Sequence, residues 1–83
     1  MPESNRPLVE RIARVLAGAA LSSNAEGSDP SAGAKVDLSW REHVNQAEAV
    51  LHTMREPDEA MAAVGDTEIW RSMVEAAIAQ PVD

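Results

Sequence analysis

The stretch Met54-Arg55-Glu56-Pro57-Asp58-Glu59-Ala60-Met61, M-R-E-P-D-E-A-M, sets one proline and three acids between two segments of apolar pattern. Two readings compete: an acidic site, or the joint between two helices. Proline pushes the residue before it out of the α region, so a helix arriving from upstream ends near Arg55. Pro57 then stands at a favoured place to begin the next helix, with Asp58 and Glu59 in its first turn. There each carboxylate faces the positive end of the helix dipole, a gain of about 0.3–1 kcal/mol. Helix chemistry accounts for the acids, and nothing else between Met54 and Glu59 breaks a helix. The stretch reads as a joint.

Upstream of it, Trp40, Val44, Ala47, Val50, Leu51 and Met54 share one helical face. Ser39-Trp40-Arg41-Glu42 matches a capping box, with Ser39 and Glu42 each bonding the other's amide. A second helix is therefore expected from about residue 38 to Arg55. Downstream, Ala60, Met61 and Val64 give a short helix an apolar face, and Gly65 is expected to close it in the left-handed conformation. Asp66 or Thr67 caps a last helix with Ile69, Trp70, Met73, Val74, Ala77 and Ile78 as its buried stripe. Arg71 and Glu75 pair at i,i+4 outside, and Pro81 is the stop.

At the other end, Leu8, Ile12, Val15, Leu16 and Ala19 recur at spacings of three and four, widened by Val9, Ala13 and Ala20. They predict a first helix over 6–21, with Pro7 in its first turn and Arg6–Glu10 and Glu10–Arg14 pairs outside. The small run Ala17-Gly18-Ala19-Ala20 reads as filling a narrow gap within the chain. Residues 22–37 open with S-S-N-A-E-G-S-D-P-S-A-G-A-K and offer no strong apolar residue before Val36, which reads as a flexible loop and plain tether. No segment alternates with a period of two. The expected architecture is all-α: one domain over 1–83, a small bundle of about four helices with the loop between helix one and helix two.

The chain has 83 residues, no cysteine, no Phe or Tyr, two Trp and four Met. So small a core, rich in Ala, makes a homo-oligomer one expectation. The run R-V-L-A-G-A-A-L-S-S-N-A is too short, and too interrupted upstream by Glu10, Arg11 and Arg14, for a secretory signal. Nothing approaches the roughly 20 apolar residues of a membrane span. With no disulfide available, a cytoplasmic setting is expected. The net charge is −7, and from Val36 onward ten acids face only Arg41, Arg55 and Arg71. That distribution opposes direct nucleic-acid binding, which needs a basic face, and suits a partner with a basic surface.

The sequence contains no Cys nucleophile, no Gly-rich phosphate loop, no G-x-S-x-G and no H-E-x-x-H. Glu48, His52 and Glu56, spaced by four, stack on one helix face in a pattern that metal ligands and ordinary solvated faces share. His43 lies nine residues before His52 and roughly a quarter-turn away, so the two histidines are no natural chelate. Trp40 and Trp70 fall in phase with the apolar stripes, which favours core packing over binding anchors. No catalytic residue, metal or cofactor is assigned, and an enzyme is not expected.

Ala47 to Gly65, A-E-A-V-L-H-T-M-R-E-P-D-E-A-M-A-A-V-G, and Trp70 to Ile78, W-R-S-M-V-E-A-A-I, resemble a family of small uncharacterised proteins of phages, prophages and high-GC proteobacteria. Its members typically read R-E-P-(T/S)-E-A-M with A-G soon after, then W-R-A-M-I-D-A-A-L. Leu8 to Leu16, L-V-E-R-I-A-R-V-L, is similar too, so the likeness covers the first helix and residues 38 onward. Asp58 replaces the usual Thr or Ser, Val64 the usual Ala, and the gap from Gly65 to Trp70 is shorter than in many members. The resemblance implies a phage or prophage accessory protein in the cytoplasm of a host cell. By analogy with other small acidic phage proteins, it points to a non-catalytic binding module that blocks a host defence protein. Glu56, Asp58, Glu59, Asp66 and Glu68 are the expected protein-binding acids, because two helix starts place them near one joint. The alternatives are an oligomer that sequesters a nucleotide signal between subunits, and a structural phage component.

Overall fold

Pro7 opens the first helix from just outside it: its carbonyl accepts from the Arg11 amide at 3.1 Å. The computed structural model describes residues 4–25 and 32–82. They form α1 (Leu8–Ala25), α2 (Ala32–Ser39), a 3-10 turn (Trp40–His43), α3 (Val44–Met54), α4 (Glu59–Val64) and α5 (Thr67–Ala79). The fold is all-α, with no strand among the described residues. The 3-10 turn and α3 together hold the place of the expected second helix, and α2 lies mostly within the expected loop.

Of the tether expected over 22–37, residues 22–25 and 32–37 are helical. α1 carries on to Ala25 and α2 begins at Ala32, while residues 26–31 lie outside the described residues. Long-range contacts recruit α2. Arg14 Nη1 donates to Asp37 Oδ1 at 2.6 Å, and Val36 lies against Gly18 of α1. Because α2 already supplies a turn of helix upstream, the capping box at Ser39 does not form. Ser39 is itself helical (φ −116°, ψ −10°), with no side-chain cap bond. Its Oγ donates back to the Lys35 carbonyl at 2.8 Å instead.

The core is Val9, Ala13, Ala17, Trp40, Ala47, Leu51 and Val74, with Leu8, Ile12, Leu16, Val36, Val44, Met54, Trp70, Ala77 and Ile78 packed at its edge. The buried line of α1 is thus rotated from the expected stripe: Val15, Ala19 and Ala20 are exposed. Ala13 and Ala17 sit at the centre because small side chains let α1 approach the turn that carries Trp40, only 3% exposed. Of the small run expected to fill a gap within the chain, Ala17 is buried and Gly18 half-buried, while Ala19 and Ala20 face outward.

Around the joint, α3 ends at Met54 and α4 begins at Glu59. Pro57 is not the first helical residue; Asp58 takes the N-cap position and Pro57 precedes it. Gly65 closes α4 in an extended conformation (φ −150°), not the left-handed one. Asp66, of the two expected candidates, caps α5. α5 packs on α3 and α1 through Val74, whereas α4 buries none of its residues.

Candidate functional site

Met61 and Val64 of α4 face Ile69, Trp70 and Met73 of α5 across an open groove of about 320 Å³, with Pro57 at one end and Gly65, Asp66 and Thr67 joining the helices. Ile69 and Met73 belong to the predicted buried stripe of α5, yet they are 59% and 64% exposed. Val64 is 89% exposed. The reason is geometric. α4 is six residues long, and α5 turns Val74 towards the core, so none of the described elements covers the other half of its stripe. A shallower apolar depression runs on along α5 past Glu68, Ser72 and Ala76.

Trp70 fixes one wall. Its indole Nε1 donates to the Met54 carbonyl at 2.6 Å, satisfying an end-of-helix acceptor of α3 and tying α5 to the joint. It is half-buried, so the core placement expected from its phase is only partly met. Trp40 is the buried one, with the guanidinium carbons of Arg41 and Arg14 at 4.3 and 5.4 Å from its ring centre.

The five expected acids, Glu56, Asp58, Glu59, Asp66 and Glu68, are all exposed. Asp66 lines the groove, and Glu68 borders the adjoining depression beside Ile69 and Met73. Asp58 Oδ1 accepts from the amide of Met61, a groove residue, at 2.9 Å. Asp66 Oδ1 accepts from the Glu68 and Ile69 amides at 2.9 and 3.0 Å. Each of these two carboxylates therefore caps its helix through a single oxygen. Glu59 sits in the first turn of α4. Glu56 faces elsewhere, into a polar cleft of about 410 Å³ with His52, Thr53, Arg55, Arg71 and Glu75.

That second cleft mixes both signs of charge. Arg71 and Glu75 do not form the expected ion pair within 4.0 Å, whereas Arg6–Glu10, Arg14–Glu10 and Arg14–Asp37 do pair. Nor do three His, Asp or Glu side chains stand together as metal ligands among the described residues. His43 Nδ1 lies 3.0 Å from Gln46 Oε1. Arg14 is held protonated beyond its ordinary range, first by its hydrogen bond to Asp37 and then by Glu10. It is a structural clamp between α1 and α2.

The groove was missed in the sequence because Ile69 and Met73 fit a buried stripe. One signal was available: six apolar positions on the last helix span more of its circumference than a four-helix chain with a six-residue neighbour can cover. Compared with known protein families, curated proteins and solved structures, the chain gives no match. No helix among the described residues is long and apolar enough to cross a membrane.

Proposed function

We propose that this protein is a non-catalytic binding module that engages the basic surface of another protein through its α4–α5 end. One observation carries the reading: α4 has no buried residue, and its apolar side chains stand open beside those of α5. Asp66 in the groove wall and Glu68 beside the adjoining depression give that apolar patch a negative setting. Exposed apolar area rimmed by polar groups marks an interaction surface. The same acids repel nucleotide phosphates at this end of the molecule. The family resemblance supplies the context, a phage or prophage accessory protein whose partner is a host protein, such as a defence component that it inhibits.

The test is affinity capture from a host lysate at low and high salt. The bait is either the wild type or a variant carrying Glu56→Gln, Asp58→Asn, Glu59→Gln, Asp66→Asn and Glu68→Gln. Asn keeps the two helix caps, since it ranks with Asp at that position. A partner captured by the wild type at low salt is expected to be lost at high salt and lost by the variant. Undiminished capture by the folded variant sinks the acidic-surface reading.

A further inference from the structure

We infer that the α4–α5 groove receives an amphipathic helix of the partner protein, apolar on the inserted face and carrying Lys or Arg along its flanks. The inference rests on the binding-module reading above and names the occupant of that site. The groove selects an apolar insert. Its sides are Met61, Val64, Ile69, Trp70 and Met73, and the one indole N–H is already spent on the Met54 carbonyl. Two flexible thioethers let the surface repack around differently shaped side chains.

The walls also select a helix. No strand exists among the described residues, so strand addition through main-chain bonds has no edge to use. Polyproline recognition needs a groove lined with several aromatic rings, and this one has Trp70 alone. Two adjacent helices leave a furrow into which the side-chain ridge of a third packs. Charge then decides whose helix it is. A second copy of this chain packed face to face brings the same Asp66 and Glu68 to the same rim, setting like charges together. A cationic flank turns each of those contacts into a complementary pair.

The probes are three peptides of about five helical turns. The first has Leu on one helical face and Lys elsewhere. The second has the same composition, scrambled so that no apolar face forms. The third replaces Lys by Glu. Fluorescence of the wild type reports binding through Trp70, because Trp40 is 3% exposed. The first peptide is expected to bind at least about tenfold tighter than the other two, and Ile69→Ser/Met73→Ser to remove about that much affinity, as loss of central anchors does. The double variant stays folded because both residues are more than half exposed, which circular dichroism checks. Equal binding of the ordered and scrambled peptides overturns the helix inference while leaving the acidic binding module standing. Failure of every cationic peptide, together with a wild-type dimer that the double variant dissolves in sedimentation, makes a second copy the occupant. That result overturns this inference, and the lysate capture judges the module reading separately.

Discussion

Trp40 and Trp70 were indistinguishable in the sequence, each in phase with an apolar stripe. Phase gives direction but not depth, and depth depends on what the rest of the chain brings alongside. Trp40 is enclosed by α1 and flanked by Arg14 and Arg41, while Trp70 is left with one side on the groove. Trp40→Ala is therefore expected to cost about 3–5 kcal/mol, enough to unfold a marginal domain in a urea titration. Trp70→Phe keeps most of the ring and removes the donor to the Met54 carbonyl. About 0.5–1.5 kcal/mol should be lost, the net worth of one hydrogen bond. An unchanged urea midpoint for Trp70→Phe would mean that solvent satisfies that carbonyl equally well. Arg14 shows the same limit of legibility. Its i,i+4 partner Glu10 could be read directly, but Asp37, 23 residues away, could not. Its pKa is raised by these partners, so their contribution is fully present below the unfolded value and lost only in strong alkali.

The helix joints were legible as elements and less so in their chemistry. Proline and the apolar phases located the break between α3 and α4, because a proline's effect on its neighbour is local. The device that starts α4 is the Asp58 cap, and Trp70 holds the end of α3. Pro57→Ala alone is accordingly expected to preserve the bend, with helicity by circular dichroism close to the wild type. Asp58→Ala should cost about 1 kcal/mol through loss of the cap, and Asp58→Asn almost nothing. A marked gain of helicity in Pro57→Ala, from fusion of α3 and α4, would show that the proline alone keeps them apart. The Ser39 box failed for a physical reason. A capping box marks a start only where the upstream chain is not helical, and the upstream segment is held in a helix by Arg14–Asp37 and Val36 on α1. Those contacts join residues far apart in sequence, so no local pattern contains them.

For the whole molecule, the described residues divide into a packed end and an open end. Among the described residues the core is seven buried side chains, three of them Ala, gathered by α1, the Trp40 turn, α3 and one side of α5. Among the described residues none covers α4 and the outer side of α5, where Val64, Ile69 and Met73 stand exposed. The stability of the isolated protein and the affinity of its groove should then be separable. Met73→Lys tests this. Met73 is 64% exposed and lies close to Glu68 along α5, so the new ammonium gains acidic neighbours and loses little packing. A change within about ±0.5 kcal/mol is the norm for such surface positions. In a domain of this length that is a melting shift of no more than about 2–4 °C. Binding of the Leu/Lys helix should fall sharply, because the charge now sits on the apolar floor and repels the cationic flanks. A large drop in melting temperature that depends on protein concentration would instead show Met73 buried between copies, since only an oligomer ties stability to concentration. The apolar side of α5 would then belong to self-assembly, and the helix-binding groove would have to be abandoned.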